Sequence, residues 1–241
     1  METMMKLPSP DYRVVETEDG SQTLFSERFG EACHSTTGAR SETLLHYIHG
    51  CEITKKAKQE TLSILEVGFG LGVGLITTWE MTKDLPARVH FLSLEIDPAL
   101  VKWFHEEYEN HPVMTDPKFT FEILVGDARI ALPDYAKKNR PHWNAIYQDA
   151  FSPKRNPVLW TKEWFTLLKE YSAPDVVLST YSASSSIRKS LIESGWKLSP
   201  GEKFGPKRTS TRARLSGETD PAILDALSRS PVKALSDKDL P

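Results

Sequence analysis

Cysteine is nearly absent from this 241-residue chain, with Cys33 and Cys51 the only two. Such a pair makes no disulfide framework, which excludes the small cross-linked secreted folds and suits a reducing compartment. Long apolar runs are missing too. The longest uncharged stretch, Val67 to Trp79, is too short and too glycine-rich to span a bilayer. The opening Met1-Glu2-Thr3-Met4-Met5-Lys6 has no apolar signal region. A soluble, cytoplasmic protein with no membrane partner is therefore expected. Net charge is only −3, so nothing global advertises a polyanionic partner. There is no P-loop pattern and no Ser-His-Asp or Cys-His arrangement. Cys33-His34, His46, His49 and Cys51 crowd into one stretch, but their spacing matches no familiar paired-ligand pattern, so no metal is expected.

What is present is a glycine turn. In Leu65-Glu66-Val67-Gly68-Phe69-Gly70-Leu71-Gly72 an acid near the end of an apolar strand precedes glycines at alternate positions. Glycine suits a strand-to-helix junction where a ligand approaches the backbone and φ turns positive, and the next helix offers free N–H groups. A dinucleotide fingerprint G-x-G-x-x-G fails, because counting from Gly68 puts Val73 at its last position. Glycines at 68, 70, 72 and 74 instead resemble motif I of class I S-adenosylmethionine (SAM) methyltransferases.

Around that turn the chain alternates. Strands are predicted at Leu62–Val67, Val89–Leu94, Phe119–Val125, Ala145–Gln148 and Val176–Thr180. Helices are predicted at Val73–Thr82, Pro98–Tyr108, Ala128–Lys138, Pro157–Tyr171 and Ser184–Ser194. Strands separated by such helices imply βαβ units and a parallel sheet. Trp196–Leu198 and Ser210–Leu215 would add a terminal antiparallel pair, as the SAM methyltransferase sheet has. The expected fold is thus α/β: a Rossmann-like class I methyltransferase with a mostly parallel seven-stranded sheet. Residues 1–60 form an N-terminal β/α extension, with a hairpin from Tyr12–Thr17 and Thr23–Phe25 about Asp19-Gly20 and a helix over Ser41–Gly50. Residues 61–216 form the methyltransferase domain, and 217–241, polar and charged, a flexible tail.

In an open parallel sheet, ligands bind beyond the carboxyl ends of the strands. Acids recur there: Glu66, Glu95, Asp127 and Asp149 stand at four successive strand ends. Glu95 can accept hydrogen bonds from two ribose hydroxyls. Asp127 suits either an adenine amino group or the cap of the next helix, and Asp97 before Pro98 reads as a cap. Asp149 can take a proton from an ammonium and stabilise charge growing on nitrogen. Lys154, Arg155 and Asn156 have the chemistry to hold a phosphate or a base edge. Trp160 and Trp164, four apart, suit core packing better than base stacking. From Tyr181 to Leu215 eight basic residues face two acids, a local excess of six able to offset phosphate charge.

Several stretches together resemble the methyltransferase domain of the bacterial tRNA wobble-uridine enzyme MnmC. They are Asp19-Gly20-Ser21-x-Thr23-Leu24-x-Ser26-x-Arg28-Phe29-Gly30-Glu31, Glu66-Val67-Gly68-Phe69-Gly70, Asp149-Ala150-Phe151-Ser152-Pro153-Lys154-x-Asn156-Pro157-x-x-Trp160, Thr180-Tyr181-Ser182 and Phe204-Gly205-x-Lys207-Arg208. The resemblance implies SAM-dependent N-methylation of 5-aminomethyl-(2-thio)uridine in the tRNA anticodon stem-loop, giving the 5-methylaminomethyl form. By position, Glu66, Gly68, Phe69, Gly70 and Gly72 would contact SAM, as would Glu95, Asp127, Ala128 and Asp149. Asp149 would be catalytic, and Phe151, Lys154, Asn156, Trp160, Lys207 and Arg208 would lie towards tRNA. The length leaves no room for the FAD-dependent oxidase of the bifunctional form, so a stand-alone methyltransferase is expected, with its amine supplied by an upstream enzyme. An aminopropyltransferase using decarboxylated SAM and a non-catalytic RNA-binding module are the competing readings. The first usually carries a second acid in the loop after the fourth strand, which Asp149-Ala150-Phe151-Ser152 lacks.

Overall fold

The computed structural model describes residues 6–17, 22–34, 38–204 and 208–240. Strands β1 (Tyr12–Glu16) and β2 (Gln22–Ser26) pair antiparallel with Tyr12 opposite Ser26, and the short β3 (Glu31–Ala32) extends β2. The Asp19-Gly20 turn expected between β1 and β2 lies outside the described residues. The segment predicted as one α-helix over 41–50 differs. Helix α1 (Ala39–Thr43) widens into a π-helical turn, Leu44–His49, before α2 (Ile53–Lys56). The Ser179 hydroxyl donates to the carbonyl of His46 inside this turn, and Gly50 leaves that carbonyl its space. Single π turns of this kind accommodate a bond from outside the helix.

From residue 61 the alternation becomes β4 (Thr61–Val67), α3 (Val73–Thr82), β5 (Arg88–Glu95), α4 (Pro98–Glu107), β6 (Phe119–Val125), α5 (Ala128–Asn139) and β7 (Trp143–Gln148). It continues with α6 (Lys162–Glu170), β8 (Ser172–Thr180), α7 (Ser185–Glu193), β9 (Lys197–Phe204) and β10 (Arg208–Arg214). The seven strands lie in the order β6-β5-β4-β7-β8-β10-β9. All neighbours are parallel except β10, which runs antiparallel to β8 and β9. Alternate residues of each strand feed opposite faces. Ile64, Phe91 and Tyr147 pack with Leu75 and Phe104 on one side, and Leu65, Leu92 and Ile146 with Trp164 and Phe165 on the other. The helix predicted over 157–171 is shorter, because Pro157–Leu159 forms a 3-10 turn and the Thr161 hydroxyl caps α6 by accepting from Trp164 N–H.

The stretch expected as a loose tail is packed. Helix α8 (Pro221–Ser228) is capped by Asp220 and buries Ile223 and Leu227, four residues apart, against the α6–α7 side of the sheet. Beyond it, Ser236 Oγ and Asp237 N–H donate to the two Glu163 carboxylate oxygens at 2.8 and 2.9 Å, and Asp237 pairs with Arg129. Polar composition conceals this anchoring, since so few apolar residues do the burying. Ile223→Ala should therefore lower unfolding stability by about 2 kcal/mol or more, read as a reduced urea midpoint at unchanged m-value; no change would mean that α8 contributes nothing to the fold.

Candidate functional site

A cavity of about 320 Å³ opens at the carboxyl ends of β4, β5, β6 and β7. Its floor depends on Gly68, which has φ +96°; a Cβ there would stand 2.7 Å from the Asp149 carbonyl oxygen. Only glycine lets the ends of β4 and β7 come so close. Gly72 is different. A Cβ on it would meet Phe104 and Phe69 at 2.5 to 2.9 Å, and it lies off the cavity wall, so its role is packing rather than the cofactor contact expected of it.

Glu66 also departs from expectation. Strand parity turns it away from the cavity and under α3, where its Oε1 occupies the space a Cβ on Gly74 would need. Ser93 Oγ donates to its Oε2 at 2.7 Å. Burial pushes the carboxyl up to about 8, the Ser93 bond opposing and the Glu95 charge adding. Glu66 is thus a buried acid bracing the turn, not a wall of the site.

Glu95 does reach the cavity. One carboxylate oxygen accepts Gly70 N–H at 3.0 Å and the other accepts Asp97 N–H at 2.9 Å. Burial raises its pKa against those two bonds, making it a weaker acid. Each oxygen keeps a lone pair for a hydroxyl donor. Asp127 takes the cap role: Oδ1 accepts Arg129 N–H at 2.8 Å at the start of α5, and the residue also lines the cavity beside Ala128. Asp97 caps α4 through Ala99 N–H, and Tyr12 Oη donates to its other oxygen at 2.6 Å, tying β1 to the sheet. Ile96 and Val158, each 40 % exposed, leave apolar surface on the same wall that a flat heterocycle would cover. Glu95, the Phe69-Gly70 turn, Asp127 and this apolar surface fit an adenosine-bearing cofactor.

At the other end stands Asp149. Tyr47 Oη donates to its Oδ1 at 2.5 Å, while Oδ2 carries no hydrogen bond among the described residues. Tyr47 is buried in the π-helical turn and stacks on Tyr147 with centroids 5.1 Å apart. Burial and the nearby Glu42 charge hold the Asp149 carboxyl well above the usual carboxylate range, with the Tyr47 bond opposing them. Tyr181, whose hydroxyl donates to the Ala150 carbonyl at 2.9 Å, and Glu42 complete this end.

Phe151 and Asn156 line the cavity, and Lys154 is exposed in the same loop. Trp160 does not join them. It is fully buried, donating from Nε1 to the Phe151 carbonyl at 2.8 Å, and so supports the loop from behind. Trp164 donates to Gln148 Oε1, which likewise puts it in the core. Lys207 lies outside the described residues, and Arg208 is described only as the start of β10. Among the described residues no His/Cys/Asp/Glu group could hold a metal, and no helix is long and apolar enough to cross a membrane. Missed altogether from sequence were Tyr47 and Glu42; Phe29, Glu31 and Tyr181 entered only as family signature residues.

A family of S-adenosyl-L-methionine-dependent methyltransferases matches residues 93–216. The crystal structure of MnmC2 from Aquifex aeolicus superposes with a TM-score of 0.78 at 32 % identity, covering 95 % of this chain and 81 % of that one. The bifunctional tRNA 5-methylaminomethyl-2-thiouridine biosynthesis protein MnmC of Azoarcus sp. is 28 % identical over 83 % of this chain but only 35 % of its own length. An uncharacterized Methanocaldococcus jannaschii protein is 28 % identical over 88 % of this chain and 62 % of its own. The chain thus spans about a third of the bifunctional relative. It belongs to the S-adenosyl-L-methionine-dependent methyltransferases, as a member of their MnmC-like family.

The buried Glu66 carries a pH signature. Its folded value of about 8 exceeds the ordinary 4.5, so the unfolded chain releases this proton first, and stability falls as pH rises between those values. Glu66→Gln should remove that loss, gaining on the parent by about 5 kcal/mol between pH 4 and pH 9 in urea titrations; a pH-independent difference would show that Glu66 is ionised in the fold.

Proposed function

We propose that the chain methylates the primary amine of a 5-aminomethyl-(2-thio)uridine at the tRNA wobble position, yielding the 5-methylaminomethyl nucleoside. The observation that carries this reading is Asp149, a carboxyl at the cavity wall with one oxygen held by Tyr47 and the other without a partner among the described residues. The names and similarity of the MnmC relatives support the nucleic-acid substrate. On this reading Glu95, the Phe69-Gly70 turn, Asp127 and Ala128 hold SAM, whose bound sulfonium supplies an electrophilic methyl group. Phe151 and Asn156 receive the base, with Lys154, Lys207 and Arg208 towards the RNA backbone. Phe29, Glu31 and Glu42 bring the N-terminal extension into the substrate site.

An ammonium cannot attack, because its lone pair holds a proton. Asp149 Oδ2 accepts that proton, leaving a neutral amine and a protonated carboxyl. The nitrogen lone pair then forms the new N–C bond as the S–C bond breaks, and the secondary ammonium keeps its two remaining protons. Most of the acceleration comes from alignment within the cavity. The raised Asp149 pKa strengthens its pull on the proton, while the Tyr47 bond opposes that rise by favouring the carboxylate.

Incubating the protein and SAM with tRNA that bears the primary amine should add one methyl group to the wobble nucleoside in mass spectrometry. No incorporation there, with aminopropyl transfer to putrescine from decarboxylated SAM instead, would overturn the reading. Asp149→Ala should cut turnover by about a hundredfold or more at nearly unchanged SAM affinity by calorimetry. Tyr47→Phe removes a bond that favours the carboxylate, so the acidic limb of kcat against pH should move to higher pH; a limb that stays put would separate Tyr47 from the titration of Asp149.

A further inference from the structure

The mouth of the cavity is built from two segments far apart in sequence: the β2–β3 turn, 27–30, and the loop after β7, 150–156. Three contacts join them. Ser152 N–H donates to Glu31 Oε2 at 2.9 Å. Phe29 stacks on Phe151 with centroids 4.6 Å apart and planes 24° apart. The Arg155 guanidinium lies against Gly30, 3.3 Å from where a Cβ would stand.

Charge on this rim leans positive, with three exposed cations against Glu27, which Arg13 offsets, and Glu31. Arg28, Lys154 and Arg155 are exposed and have no carboxylate partner among the described residues, whereas Arg13, Arg40 and Arg214 are all ion-paired. The acids of the same segments are committed, Glu27 to Arg13 and Glu31 to Ser152 N–H. Arg28 also lies over the Phe29 ring at 5.3 Å, which holds its position while leaving its N–H groups available. Two guanidinium groups beside a stacked aromatic pair match a nucleotide chemically, with planar donors for phosphate oxygens and ring faces for a base. A nucleobase whose C5 substituent is to reach Asp149 must leave its own stack, and its flanking phosphates then remain outside the cavity.

Building on the RNA reading above, we infer that Arg28 and Arg155 clamp backbone phosphates on either side of the extruded nucleotide, with the Phe29–Phe151 pair as the ledge against which a base stacks. The N-terminal turn, and not only the basic loop near residue 207, then forms part of the RNA footprint.

The test is binding of a tRNA anticodon stem-loop bearing the primary amine, measured by fluorescence anisotropy across a salt series. Arg28→Gln and Arg155→Gln should each weaken binding roughly tenfold and lower the slope of log K against log salt by about one. SAM affinity, measured by calorimetry, should not change. Phe29→Leu should weaken binding without altering the slope. If the parent protein binds and methylates the stem-loop while both glutamine variants keep its affinity and slope, the clamp is overturned and the RNA reading stands. If the parent protein neither binds nor methylates the stem-loop, the RNA reading fails and takes the clamp with it. Should a glutamine variant lose SAM binding through misfolding, Arg28→Lys and Arg155→Lys keep the test open: both must then retain the parent's salt slope, and a reduced slope overturns the clamp.

Discussion

The close approach of β4 and β7 at Gly68 is the constraint on which the site depends. The backbone of Gly68 sits so near the Asp149 carbonyl that no side chain fits between them. That approach sets Asp149 beside the glycine turn, and the turn carries Gly70 N–H onto Glu95. On the proposed reading, a donor held at the ends of β4 and β5 and a nucleophile received at the end of β7 are thereby fixed to one frame. Buried apolar residues on both faces keep this frame stiff, since close-packed interiors resist small displacements.

The N-terminal layer finishes what the sheet begins. Among its several attachments to the sheet domain, Tyr12 to Asp97 ties β1 to the start of α4, while two fall at the cavity: Glu31 to the Ser152 amide, and Tyr47 to Asp149. The π-helical turn is the means for the last. It shifts Tyr47 relative to an ordinary helix while the Ser179 hydroxyl occupies a carbonyl inside the turn. A hydrogen bond of 2.5 Å between a buried phenol and a buried carboxyl orients the acid and partly offsets its loss of solvent.

What sequence could reveal follows the physics of range. Strands and helices from 61 onward are local patterns of apolar periodicity, and their order implies the sheet, so Glu95, Asp127 and Asp149 were legible at its carboxyl edge. The orientation of Glu66 was not legible: Ile64, Leu65 and Val67 are all buried, so the apolar pattern does not tell the two faces of β4 apart, and the space at Gly74 that it fills is a tertiary feature. The contact between Tyr47 and Asp149 spans 102 residues and depends on a helix winding that periodicity does not encode. Ile223 and Leu227 did carry a signal, a four-residue spacing, but the charged composition around them outweighed it.

The acids of the cavity explain more than the capture of a proton. Glu95 and Asp149 are both pushed towards their neutral forms by burial, and neither has a cationic partner among the described residues. A site of this kind favours ligands that bring positive charge or hydroxyl donors. A sulfonium donor brings charge, and so does an ammonium acceptor, yet two cations side by side repel each other. Asp149 resolves that conflict under the proposed reaction, because taking the acceptor's proton removes one positive charge just where the two must meet. Once the methyl group has moved, the donor's sulfur is a neutral thioether, and its share of the attraction to these acids is gone. Under the proposed reaction, the same desolvated carboxyls that draw in the reactants would therefore hold the spent donor less tightly.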